Sequence, residues 1–181
     1  MEMLHRADQS AVILVDLQAR LMPSIHEGER IVTQAVRLAR IARVLGVPVV
    51  ATEQNPQGLG HSDPRIQAEC DRVMSKSHFN ACEEGLTEML PATSRHAIVA
   101  GCEAHVCVLQ TCMGLLERDF RVTLVIDAIG SRADLSRLAA IERLGMLQHE
   151  GLVLATVEMV AFEWLRTCRH PKFREALALI K

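Results

Sequence analysis

Asp16, Lys76 and Cys107 are the residues of this chain whose types could combine into a reaction centre. Asp16 follows five apolar residues in AVILVDL, and Lys76 sits inside SKSHFNAC. Cys107 belongs to GCEAHVCVLQTC, where cysteines at 102, 107 and 112 recur five apart beside His105. A thiol in the first turn of a helix feels the positive end of the peptide dipoles, and a nearby ammonium lowers its pKa further. A carboxylate within reach can take the thiol proton or pass one to a leaving group. The combination would be a cysteine nucleophile that needs no histidine. Singly, each residue has a plainer role: a capping aspartate, a solvated lysine, a cysteine filling a core. The chemistry therefore depends on a backbone that brings three distant segments together.

AVILVDL (11–17) is short and almost wholly apolar, the pattern of a strand buried on both faces. VPVVAT (47–52), RVMSKS (72–77), HAIVAG (96–101), RVTLVIDA (121–128) and GLVLAT (151–156) read as five more. Between them, Ile31, Val32, Ala35, Leu38, Ile41, Ala42 and Leu45 follow helical spacing, and 106–119 and 133–150 read as further helices, the last capped by Asp134 or a neighbour. One or two helical turns over 83–90 end at Pro91, and EQNPQGLGHSDP (53–64) reads as a loop. Two short helices close the chain, and their apolar VEMVAFEWL could pack on the sheet or form an interface. Strands alternating with helices predict a Rossmann-like three-layer α/β/α domain over 1–181 with a six-stranded parallel sheet. Such sheets bind ligands at the carboxyl ends of their strands, around a topological switch point. Asp16 and Lys76 end strands, and Cys107 begins the helix after the fourth.

Hydrophobic residues make up 49% and charged residues 23%, the balance of a folded chain, and the net charge is −2 with both signs interspersed. No basic block and no stacking platform is present: tyrosine is missing and Trp164 is the single tryptophan, so nucleic acid is not expected as a partner. MEMLHRADQS lacks the features of a signal peptide, and no apolar run reaches the roughly 18 residues of a membrane span. A cytoplasmic protein without membrane contact is expected, with its six cysteines reduced.

In these segments the chain resembles the isochorismatase-like hydrolases, the cysteine hydrolase superfamily, along nearly its whole length. VILVDLQ around Asp16, the Lys76 segment and VAGCEAHVCVLQTCMGLLERDFRVTLVIDA carry the resemblance. Within the superfamily it is most similar to the isochorismatase domain-containing proteins, on GCEAHVCV, LLERDF, DAIGSR and TEQNPQGLG. The resemblance implies a catalytic triad of Asp16, Lys76 and Cys107 and a non-proline cis peptide between Cys102 and Glu103. It also implies an oxyanion hole from the backbone N–H groups of Glu103 and Cys107. In that arrangement Gly101 leaves room for the turn and the Glu103 side chain is incidental. The implied reaction is ping-pong acyl transfer: Cys107 attacks a small amide-like carbonyl, Asp16 shuttles the proton, and water hydrolyses the thioester. A homo-oligomer is implied as well.

The nicotinamidase branch of that family holds a metal through an Asp and two His, the first pair as D-x-H after strand two. Thr52, Glu53 and Gln54 stand there in this chain, and neither a metal nor another cofactor is expected. Isochorismatases that cleave a vinyl ether do not depend on the cysteine, so the presence of Cys107 favours C–N or related acyl chemistry. A vinyl ether hydrolase, or a weakly active member with a binding or assembly role, is the alternative.

The remaining candidates are peripheral. His78 and Phe79 could line the substrate pocket, Gln18 and Arg20 could contact substrate, and Asn80 has the same standing. A zinc cluster of Cys102, His105 and Cys107 lacks C-x-x-C spacing and straddles a strand–helix junction. Cys112, five residues past Cys107 on a helix, should point to the core, and a redox role would need a disulfide that this geometry disfavours. GLG at 58–60 opens no phosphate loop.

Overall fold

The computed structural model describes residues 4–181; the first three residues of the N-terminal segment considered above lie outside them. Six strands, Ser10–Val15 (β1), Val49–Gln54 (β2), Arg72–Lys76 (β3), His96–Cys102 (β4), Arg121–Gly130 (β5) and Leu152–Ala155 (β6), form one sheet in the order β3-β2-β1-β4-β5-β6. Every pairing is parallel. The longer helices are Gly28–Val44 (α1), Leu109–Leu116 (α4), Asp134–Gly145 (α5), Val157–Leu165 (α6) and Phe173–Ile180 (α7), and two single turns, Pro56–Leu59 (α2) and Pro64–Gln67 (α3), lie between β2 and β3.

Strand β1 explains why apolar runs, not alternating ones, mark this sheet. Val12 and Leu14 join the core cluster built with α1 and α6, whereas Ala11, Ile13 and Val15 join the one built with α4 and α5. All five are fully buried. Covering both faces removes the polar positions that a half-exposed strand would carry. Burying a side chain such as Leu14 contributes about 1.5–3 kcal/mol. The order places the switch point between β1 and β4, with β2 and β3 continuing on one side and β5 and β6 on the other.

Several local expectations are corrected. The 53–64 segment is not all loop: β2 runs on to Gln54, and both single-turn helices start with proline at their first position. Proline has no N–H to lose there and its φ is already helical, so a residue that suggests a loop in sequence begins a helix in space. The helix expected over 106–119 begins as a π-turn, Ala104–Val108, before α4. The helix expected over 133–150 ends at Gly145, with a separate 3₁₀ turn at Gln148–Glu150. The N-cap of α5 is the neighbour of Asp134, Ala133, which brings no side-chain cap bond, and the Asp134 carboxylate accepts from Arg137 Nε at 2.7 Å. Trp164 and Leu165 of the VEMVAFEWL segment are buried, and Val157, Val160 and Ala161 join them in the core beside α1. Among the described residues, no helix is long and apolar enough to cross a membrane.

Candidate active site

Asp16 follows β1 directly, with φ +50°, and its carboxylate is held from two sides. Thr52 Oγ1 donates to Oδ1 at 2.6 Å and Lys76 Nζ donates to Oδ2 at 2.8 Å. The Asp16 N–H also donates to the Thr52 carbonyl, which continues the β1–β2 ladder past the strand end. Lys76 is the last residue of β3, two strands away. Its ammonium has two further oxygen acceptors, Gln54 Oε1 at 2.7 Å and the His78 carbonyl at 3.3 Å. The side chains of Lys76 and Asp16 are 0% and 1% exposed. A buried ion pair survives only when both partners are fully hydrogen-bonded, and this one is.

Cys107 comes from the π-turn after β4, and its thiol lies within hydrogen-bond reach of both Asp16 and Lys76. The three residues expected to converge thus do so. The electrostatics differ from expectation. Burial pushes the Cys107 thiol up to about 12, the Asp16 carboxylate adds to the rise, and Lys76 offsets only part of it. Desolvation outweighs both the cation and the helix start, because a thiolate here would stand beside a carboxylate in a dry site. At rest, Cys107 keeps its proton beside the Asp16 carboxylate.

The turn that carries Cys107 starts with a cis peptide between Cys102 and Glu103. Gly101 before it has φ +124°, and a Cβ there would stand 2.0 Å from the Val15 carbonyl oxygen. Its requirement for glycine is therefore close approach to β1 as well as the turn itself. The Glu103 side chain is not incidental. Its Oε2 accepts from the backbone N–H and Nε of Arg132, both at 3.1 Å, and its Oε1 lies 3.1 Å from Arg132 Nη2. This pair fastens the turn after β4 to the segment after β5.

A cavity of about 280 Å³ opens over these groups, lined by Asp16, Leu21, Gln54, Leu59, Phe79, Glu103, Val106, Cys107 and Arg132. Phe79 was expected at the pocket and stands there. Two other candidates do not. Gln18 is fully buried; its Nε2 donates to the Gln54 and Gly60 carbonyls at 3.0 and 2.6 Å, and its Oε1 accepts from the Gln54 N–H at 2.8 Å. His78 is exposed and pairs with Glu84, so only its carbonyl reaches the site, through Lys76. Arg20 donates to the Gln57 and Gly58 carbonyls, and Asn80 packs over Gly114 and accepts from the Cys82 N–H.

Thr52, Gln54 and Arg132 are the site residues that sequence reasoning did not place. Gln54 carried a usable signal: it is the register partner of Lys76 at the ends of neighbouring strands. Glu53 points elsewhere, accepting from Ser62 N–H and Oγ and from His61 Nδ1, and so ties the α2–α3 connection to β2. Among the described residues, no group of three or more His, Cys, Asp or Glu side chains is placed to hold a metal. Cys112 is fully buried, and all six cysteines are free.

Comparison with known proteins agrees with the fold. The Isochorismatase domain family matches residues 10–159. Isochorismatase domain-containing protein 2 of Rattus norvegicus is 34% identical over 96% of this chain and 82% of its own. The MAR1 ribonuclease structure from Caenorhabditis elegans is 34% identical with a TM-score of 0.88, over 98% of this chain and 92% of that one. The YcaC gene product of Escherichia coli, an octameric hydrolase of unknown specificity, is 25% identical at a TM-score of 0.84, over 98% and 96% of the two chains. YcaC from Pseudomonas aeruginosa, with hexane-2,5-diol and covalent acrylamide, is 25% identical at 0.87, over 99% and 92%. With the family domain spanning all but the ends of the chain and the sheet shared throughout, the protein belongs to the isochorismatase-like hydrolase family.

Proposed function

We propose that the protein is a cysteine hydrolase acting on a small amide or related carbonyl compound. The observation that carries this reading is the meeting of the Cys107 thiol and the Asp16 carboxylate in the wall of one cavity, with the Lys76 ammonium bound to that carboxylate behind it. The thiol proton passes to Asp16 as Sγ bonds to the substrate carbonyl carbon, so no free thiolate is needed beforehand. The developing oxyanion is received by the backbone N–H groups of Glu103 and Cys107. Asp16 then returns the proton to the departing nitrogen as the C–N bond breaks. In the second half-reaction Asp16 takes a proton from water, whose oxygen attacks the thioester, and the thiol leaves reprotonated. Lys76 holds the Asp16 carboxyl group in place through both half-reactions.

The Pseudomonas relative supports the reading, since it carries a covalent acrylamide, a small amide able to add to a nucleophile. The ribonuclease named for the nematode relative is a different chemistry on a polyanion, which needs unpaired cations. In the cavity described above the cations are paired, Lys76 with Asp16 and Arg132 with Glu103. We also propose self-association, as in the octameric Escherichia coli relative; α5 turns Leu135, Leu138 and the following Met146 to solvent, Leu135 being 79% exposed.

A panel of small amides and ureides assayed with the unmodified chain and with Cys107→Ala tests the chemistry. Turnover confined to the unmodified chain is expected. Turnover that survives in Cys107→Ala rejects the nucleophile.

A further inference from the structure

We infer that the cavity selects uncharged substrates, small carboxamides or ureides with an apolar acyl portion, and that the Glu103–Arg132 pair sets this selectivity. The inference rests on the cavity being the substrate site of the proposed hydrolase.

The charges that reach the cavity cancel locally. Asp16 is matched by Lys76 beneath it. Arg132, whose side chain is 66% exposed at the mouth, is matched by Glu103, whose two oxygens face Nε and Nη2 of the guanidinium. That fork is the face with which an arginine would grip a substrate carboxylate, and Glu103 already occupies it. Gln54 is neutral, and Leu21, Leu59, Phe79 and Val106 supply the rest of the lining. The thiol adds no charge, because burial keeps it protonated. A carboxylate entering here would lose hydration against apolar walls and find no unpaired cation. A neutral amide loses less, and its carbonyl needs only backbone donors. The volume, about 280 Å³, lies at the small end of ligand cavities, which suits a compact substrate. The same arithmetic disfavours a dicarboxylate vinyl ether as substrate.

Two thiol reagents of nearly equal size read this selectivity without a known substrate. Iodoacetamide and iodoacetate both alkylate by the same displacement: the Cys107 proton leaves to base, Sγ bonds to the CH2 carbon, and iodide departs. They differ in carrying an amide or a carboxylate. Rates at Cys107 and at the exposed Cys168 are followed in the same chain by peptide mass spectrometry at one fixed pH, with Cys168 as the internal reference. The amide-to-carboxylate rate ratio at Cys107 is expected to exceed that at Cys168 by about tenfold. Glu103→Gln keeps an acceptor for the Arg132 N–H but uncovers the guanidinium, and should lower the Cys107 ratio by at least about threefold. Arg132→Gln leaves Glu103 unmatched and should raise it. Equal ratios at Cys107 and Cys168 overturn the inference, as does a Cys107 ratio that neither variant moves in its stated direction. Amide turnover separates the two readings. Preserved alkylation selectivity without hydrolysis rejects the hydrolase and keeps the selectivity. Equal hydrolysis of neutral and carboxylate-bearing amides does the reverse.

Discussion

Gln54 and Lys76 are joined twice, as register partners at the ends of β2 and β3 and through a 2.7 Å hydrogen bond from the ammonium to the Gln54 amide oxygen. The other end of the amide donates to the Ser77 carbonyl at 2.6 Å, so its orientation is fixed. Gln54 is thus a positioning residue for the cation that holds Asp16. Gln54→Leu should lower kcat for a turned-over amide by roughly 10- to 100-fold with KM changed far less. A variant that raises KM at constant kcat would place Gln54 against substrate instead.

Removing one partner of the buried Asp16–Lys76 pair strands the other. Lys76→Met should therefore destabilise the fold by about 3–5 kcal/mol in urea titrations. The double variant Asp16→Asn with Lys76→Met should regain part of that loss while remaining inactive. A single variant as stable as the unmodified chain would contradict the buried pairing.

Alkaline pH should loosen the fold before it speeds the chemistry. Burial pushes Cys70 and Cys107 up to about 12 and Cys82 to about 11. Each binds its proton more tightly folded than unfolded, so the stability they contribute is complete below the unfolded thiol value of about 8.5 and declines as pH climbs toward 11–12. Tm measured by scanning calorimetry should be insensitive to these thiols near neutrality and fall above about pH 9. The fall should be shallower in Cys82→Ala.

Gln18 fastens the segment bearing Leu59 from a buried position outside the cavity lining. Gln18→Leu removes three hydrogen bonds to the Gln54 backbone and the Gly60 carbonyl. Limited proteolysis should then cut within 55–62 at least about tenfold faster. Unchanged proteolysis with a lost activity would instead favour direct substrate contact.

The sheet was legible because β1 and β4 are buried on both faces, which leaves unbroken apolar runs that few other elements produce. The convergence of Asp16, Lys76 and Cys107 was legible because strand ends in a parallel sheet share one rim. Gln54 was passed over because a neutral amide carries no charge signal and its partner is 22 residues away. Arg132 and Glu103 lie 29 apart, on different strand ends, and nothing local joins them. Gln18 looked like a pocket residue through its nearness to Asp16, yet its bridge to Ser62 turns it away. The thiol was misjudged for a different reason: its proton affinity is set by how much water the finished fold excludes.

The residues around Cys107 are delivered by different strands: Asp16 by β1, Thr52 and Gln54 by β2, Lys76 by β3, and Cys107 itself from beyond β4. A one-residue slip of β3 would carry Lys76 to the opposite side of the sheet and leave Asp16 without its cation. Thiol reactivity at a single position is accordingly a gauge of alignment across four strands, and a chain that misassembles anywhere among them would announce it at Cys107.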